Sequence, residues 1–157
     1  MHVNLPPFQA FLDTHAGDVH RFLVATVGPV DADDCFQETF LAALRAYPRL
    51  HPGSNLRAWV LTIAHRKGLD AHRARARRAV PVAEPPETGV TDPEPDGASE
   101  LWQQVRGLPP KQRAAVAYRF VSDMSYREIG EAIGSSEDAA RRNVHEALKK
   151  LREVVTA

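Results

Sequence analysis

Ser125-Tyr126-Arg127-Glu128-Ile129, and after it Gly134-Ser135-Ser136-Glu137, carry the pattern of two short helices joined by a tight turn. Ser125 followed three residues later by Glu128 is a capping-box pair, and Gly134 supplies the permissive backbone at which the first helix is left sharply. The second helix then begins at a fixed angle and presents Arg141, Arg142 and His145 near its start, the end that enters a major groove in a helix-turn-helix. These residues predict an all-helical C-terminal module that binds DNA.

Working outward, the chain of 157 residues has room for one ordinary domain or two small ones, with the composition of a globular protein. No apolar run approaches the roughly 20 residues that span a bilayer, and the start, Met1 to Pro7, lacks a basic region followed by an apolar one. The expectation is a cytoplasmic protein without membrane insertion. One cysteine, Cys35, leaves no internal disulfide framework, and its place in an amphipathic segment predicts simple packing. The formal net charge is zero, from 20 basic and 20 acidic residues, but the charges are sorted into blocks. Arg66, Lys67, Arg73, Arg75, Arg77 and Arg78 are opposed only by Asp70. Ala79 to Ala98 holds Glu84, Glu87, Asp92, Glu94 and Asp96 and no basic residue. The zero is a cancellation that conceals strong local fields.

That acidic stretch also holds Pro81, Pro85, Pro86, Pro93 and Pro95, so it is expected to be a flexible linker. It divides the chain into units 1–78 and 99–157, with 79–98 between them. In the first unit, Phe8, Phe11, Leu12, Val19, Phe22 and Leu23 recur at helical spacing until Gly28-Pro29. Asp31 is expected to cap a second helix with an inner stripe of Phe36, Phe40, Ala43, Leu44 and Tyr47, and an outer face of Asp34, Gln37, Glu38 and Leu41. A third helix is predicted from about Asn55 to Arg78, roughly 35 Å at ~1.5 Å per residue. Its stripe of Leu56, Trp59, Val60 and Ile63 continues as Arg66, Lys67, Asp70 and Arg77, so its second half must leave the core. Trp59 reads as core. In the second unit a short helix carries Leu101, Trp102 and Val105, and the next packs through Val116 and Phe120. The last has Ala140, Val144, Ala147, Leu148 and Leu151 inside, Arg142, His145 and Lys149 opposite, and Arg141 on the flank. Asp138 is a candidate to help cap its start. No strand pattern competes, and the fold class is all-α, two small helical domains and a Pro-rich acidic linker.

Catalytic and cofactor classes find little here. His65 and His72 fall on one outward helical face two turns apart, and neither a His-Glu-x-x-His pattern nor paired cysteines exist. No glycine-rich phosphate loop is present. No cofactor or metal is expected.

With both units in view, the chain resembles the bacterial RNA polymerase sigma factors of the small extracytoplasmic-function type. Asp31-Ala32-Asp33-Asp34-Cys35-Phe36-Gln37-Glu38-Thr39-Phe40 resembles the region-two helix that docks on the clamp coiled coil of the polymerase largest subunit. Ser54-Asn55-Leu56-Arg57-Ala58-Trp59-Val60, with Ile63-Ala64 and Asp70, resembles the segment for the promoter -10 element. Leu108-Pro109-Pro110-Lys111-Gln112-Arg113 and Ser125 to Gly130 resemble region four, which reads the -35 element.

The resemblance implies a non-enzymatic factor that lends core polymerase promoter recognition and holds a strand while the DNA opens. Asp34, Gln37, Glu38 and Leu41 would bind polymerase, acidic and polar groups beside an apolar anchor. Arg49, Leu50, His51 and Asn55 would cradle a flipped base of the -10 element, and Arg66, Lys67, Arg73 and Arg77 would neutralise phosphates. Arg127, Ser136, Arg141, Arg142, His145 and Lys149 would contact the -35 element, the arginines able to pair bidentately with guanine. Implied partners are core polymerase, through its clamp coiled coil and its flap, promoter DNA, and an anti-sigma factor. The acidic linker, Glu84 to Asp96, has two readings: an extended solvated tether, or a segment that threads the channel later used by RNA. The chain stops at Ala157, soon after the recognition helix, which implies no control by an appended C-terminal domain.

The sequence departs from the family pattern at several of these positions. Leu50 stands where an aromatic is frequent, Arg66 where asparagine is, Ala139-Ala140 for threonine-valine and Asn143 for arginine, while Glu146 adds negative charge. Two other readings therefore remain: a regulator that binds operators without polymerase, and a polymerase-binding factor with weakened promoter opening.

Overall fold

The computed structural model describes residues 5–78 and 98–156, all of whose regular structure is helical. The acidic segment at 79–97 lies outside the described residues, so the linker reading is not addressed there; Ala98 opens a helix.

Helix α1 runs Phe8–Val27 and ends at Gly28, whose φ of 87° and buried position suit a residue without a side chain. Helix α2, Pro29–Ala46, starts at once, with Pro29 in the first turn where its missing N–H costs nothing. Asp31 is not the cap: it lies inside the first turn and pairs with Arg75 at 2.8 Å. The inner face of α2 is Ala32, Cys35, Thr39, Phe40 and Ala43, whereas Leu44, assigned to that face by spacing, is 50% exposed. The true stripe is rotated by about one position, because small Ala32 and Cys35 let α2 lie close to its neighbours. Cys35 is buried and the Cys35 thiol is raised to about 11, by burial first and then by the carboxylates around it, consistent with packing and not reactivity.

A short 3-10 turn, Tyr47–Arg49, and a loop lead to α3, Leu56–Arg78. Val60, Leu61, Ala64 and Gly68 of α3 are buried, while Arg66, Asp70, Arg73, Arg75, Arg77 and Arg78 are exposed, the change of character expected from the sequence. Gly68 permits a close crossing: a Cβ there would lie 3.2 Å from Val27 Cγ1. Trp59 is half-buried against Phe11 and Tyr47, with ring centroids 5.8 and 6.4 Å away.

The second unit comprises α4 (Ala98–Arg106), α5 (Pro110–Phe120), α6 (Tyr126–Ile133) and α7 (Glu137–Thr156). In α5, Arg113 to Tyr118 are all buried, so this helix is covered on every side. Phe120, expected in the core, is instead 59% exposed at the end of α5. One buried cluster crosses the units, joining Phe22, Leu23 and Leu61 to Ala114, Tyr118, Ile129 and Val144, while Val105, Leu108, Val116, Ala147 and Leu151 form a smaller cluster within the second unit.

Candidate promoter and polymerase interface

The outward face of α2 holds Asp34, Gln37, Glu38 and Leu41, all exposed. Leu41 is 48% exposed, and with Leu44 one turn on it forms an apolar pair beside the acids. Sequence reasoning missed Leu44 by placing it inside; the signal was its spacing of three from Leu41.

The loop before α3 is shaped by Gly53, at φ 92°, and by Ser54, whose amide and hydroxyl both donate to the His51 carbonyl, at 3.2 and 2.8 Å. Arg49, His51 and Asn55 are exposed, whereas Leu50 is half-buried against the core. Asn55 caps α3: its Oδ1 accepts from the Ala58 amide at 3.1 Å. Its Nδ2 donates across to Glu128 Oε2 at 3.2 Å, joining the first unit to the second. Along α3, Arg66, Arg73 and Arg77 are exposed and Lys67 half-exposed. His65 and His72 do not face outward as predicted. Both are half-buried, His65 edge-on to Tyr118 and His72 3.2 Å from the Thr26 carbonyl oxygen. Their helical face is covered by α1 and the second unit, which spacing within α3 could not reveal.

The helix-turn-helix has the predicted geometry. The Glu128 amide donates to Ser125 Oγ at 3.1 Å and the Ser125 amide to Glu128 Oε1 at 3.2 Å. These bonds, that of the Ser125 amide first, hold the Glu128 carboxyl below its usual range. Gly134 is left-handed at φ 78°, ψ 36°. Gly130 serves close packing instead. A Cβ there would lie 2.9 Å from the carbonyl oxygens of Ser135 and Ser136, so only glycine lets α6 meet the turn. The cap of α7 is Ser136, whose Oγ accepts from the Ala139 amide at 3.0 Å. Asp138 binds Arg141 at 3.0 Å instead of capping.

Arg141 is further held by Glu137 at 3.5 Å and lies 5.0 Å from the Tyr126 ring centroid, with Arg119 at 4.6 Å from the same ring. Arg142, His145 and Lys149 stand exposed on the outer face of α7. Arg127 is exposed on α6, 3.6 Å from Glu131.

Four contacts between the units have no counterpart in the sequence pattern. Tyr118 stacks on Phe22 and donates its hydroxyl to the Leu61 carbonyl at 2.7 Å. Arg106 reaches the Val24 carbonyl at 3.4 Å, and Glu128 adds its bond to Asn55. The available signal was the run Ala114-Ala115-Val116-Ala117-Tyr118, too apolar for a helix covered on one side.

A family model described as Sigma-70 region 2 matches residues 11–78, and one described as Sigma-70, region 4 matches 98–151. The RNA polymerase sigma factor CarQ of Myxococcus xanthus is 32% identical over 94% of this chain and 88% of its own. The ECF RNA polymerase sigma factor SigD of Mycobacterium tuberculosis is 35% identical over 93% of this chain and 76% of its own. The chain belongs to the ECF sigma factors of RNA polymerase.

As an ECF sigma factor it is an alternative sigma factor that directs promoter recognition and transcription initiation, in a family that is not one of enzymes. Family membership decides against the operator-binding regulator. Two solved structures share its fold. RpoE of Bartonella quintana, in complex with the anti-sigma factor NepR, superposes with a TM-score of 0.76 at 22% identity, over 96% of this chain and 97% of its own. CnrH, in complex with the cytosolic domain of CnrY, gives 0.73 at 21%, over 95% and 87%. Among the described residues, no helix is long and apolar enough to cross a membrane, and no group of three or more histidine, cysteine or acidic side chains is placed to hold a metal.

Proposed function

We propose that this ECF sigma factor, acting in the cytoplasm and without catalysis of its own, divides initiation between its units, 1–78 for core polymerase and the -10 element and 99–157 for the -35 element. Asp34, Gln37, Glu38 and Leu41, extended by Leu44, dock on the clamp coiled coil. Arg49, His51 and Asn55 receive the flipped -10 base over the half-buried Leu50, and Arg66, Lys67, Arg73 and Arg77 follow the phosphates. Arg142, His145 and Lys149 read the -35 element, with Arg127 and Ser136 on the backbone. Arg141 joins them once DNA competes for it with Glu137 and Asp138. An apolar groove of about 460 Å³ formed by Leu101, Trp102, Val116, Phe120 and Leu148 suits the polymerase flap. What supports the reading is that these residues lie on separate, largely exposed faces, little used by the common core.

The packed units describe a resting form. The -10 and -35 elements lie about 25 base pairs apart, roughly 85 Å at ~3.4 Å per base pair, whereas here Asn55 is hydrogen-bonded to the first turn of α6. The units must therefore separate on the promoter. The solved complex of RpoE with the anti-sigma factor NepR supports an anti-sigma protein as the partner of this chain. In transcription with core polymerase, Arg142→Ala is expected to reduce initiation most at promoters with a good -35 sequence; no loss at any promoter would contradict the assignment.

A further inference from the structure

Where the units meet, a cavity of about 290 Å³ opens between α3 and the α5–α6 pair. His65, His72 and Arg73 line it from α3, Lys111 and Arg113 from α5, and among the described residues no carboxylate does. In a chain with 20 basic and 20 acidic residues, an acid-free cluster built by two units is not a by-product of overall charge. Closure brings Arg73 up to Lys111 and Arg113, and like charges gathered beside a buried surface repel unless something neutralises them.

Arg113 sharpens the case. It is 7% exposed, and its Nη1 donates to the Arg106 carbonyl at 3.3 Å, a neutral acceptor. No described carboxylate lies within ion-pair distance of it, and burial holds its pKa below the usual arginine value. A buried guanidinium normally has an anionic partner. His65 beside it makes no hydrogen bond to any described group, so its imidazole N–H is also available.

We propose that this interunit cavity binds a small phosphate-type anion of the diphosphate class, held by Arg73, Lys111 and Arg113 with His65 as an additional donor. Two guanidinium forks, a point-charge ammonium and one imidazole N–H together suit a multiply charged oxyanion with several acceptor oxygens. Both units supply ligands, so the anion favours the closed form. Its effect on transcription rests on the closed-to-open reading above; its binding does not, and is tested without polymerase.

The test is calorimetric titration of the full chain with inorganic diphosphate, in chloride buffer at fixed ionic strength. The expected result is saturable binding at one site, weakened at least roughly tenfold by Lys111→Gln and by Arg73→Gln, as loss of a charge-assisted contact predicts. Lys150→Gln, on the exposed side of α7, is expected to bind as the wild type does. Lys111 is exposed in the first turn of α5, so its variant keeps the fold. Absence of saturable binding, or equal binding by all variants, would overturn the proposal. So would a Lys111-dependent response to a short DNA duplex with none to diphosphate, which reassigns the cavity to the nucleic-acid backbone. Binding seen only after Glu84, Glu87, Asp92, Glu94 and Asp96 are replaced by serine would overturn it too, assigning the cavity to the chain's own carboxylates.

Discussion

Tyr118 of the second unit lies on Phe22 of the first, ring centroids 4.4 Å apart and planes 13° from parallel, and is itself wholly buried. The stack, with the hydroxyl donated to Leu61, makes two small units share one core. Removing the hydroxyl costs about 1 kcal/mol and truncating the ring about 3–5 kcal/mol. The native chain is therefore expected to unfold in urea in one cooperative transition. Tyr118→Phe lowers the midpoint and keeps the single transition, whereas Tyr118→Ala separates the units, seen as a larger radius by small-angle scattering. An unchanged radius in Tyr118→Ala would refute this.

Gly130 is predicted to be intolerant of any side chain. A methyl group meets backbone at 2.9 Å on two sides, and backbone cannot rotate away. Gly130→Ala should cost about 1–3 kcal/mol, the range for forced overpacking, and weaken -35 duplex binding by changing the angle between α6 and α7. Ala132→Gly, also in α6, changes size in the opposite direction and serves as the comparison. Equal duplex affinity for Gly130→Ala and the wild type would contradict the role given to this glycine.

The stability of the closed form should fall in mild acid. Burial first, then Arg113 and Arg66, lower the His65 pKa from 6.5 to about 4, and Tyr118, Lys111, Arg73 and His72 surround the same space. Between these values the unfolded chain binds a proton that the folded chain refuses, so stability is full above pH 6.5 and declines as pH falls towards 4. His72 is shifted the same way, chiefly by burial, with the Thr26 carbonyl and Asp31 opposing. Glu128, depressed below its normal 4.5, adds a loss at lower pH still. Urea midpoints in chloride buffer should drop between pH 7 and 5, and His65→Gln should flatten the change. An unchanged slope in that variant would remove His65 as its source.

The polymerase face is predicted to be separable from the fold. Leu41 and Leu44 are half-exposed and lie outside the buried cluster, so Leu41→Asp should leave the free energy of unfolding in urea within about 0.5 kcal/mol of wild type. Affinity for core polymerase is expected to fall about tenfold or more, as for the loss of an apolar anchor at an interface centre. Undiminished core binding by Leu41→Asp would move the docking face elsewhere.

Much of this fold was legible in local chemistry. The Ser125–Glu128 box, Gly28-Pro29, Gly134 and the charged end of α3 are devices acting within a few residues, and each appears where spacing puts it. What covers a helical face is not local. Spacing puts Leu44 and Phe120 inside because it reports a stripe but not where a neighbour stops covering it. Spacing puts His65 and His72 outside because their cover comes from α1 and from the second unit, distant in sequence. The same holds for the candidate site. That Arg142, His145 and Lys149 share the exposed face of α7 is legible from one helix alone. The Asn55–Glu128 bond, 73 residues apart in the chain, had no local signal.

The most direct measurement is run-off transcription by bacterial core polymerase, with and without this protein, on a randomised promoter library with the transcripts sequenced. The expected result is protein-dependent initiation, with enrichment of a two-part sequence at -10 and -35. Core binding without initiation on any member of the library would contradict it, because a chain that docks but cannot open DNA does not use its two units as proposed here.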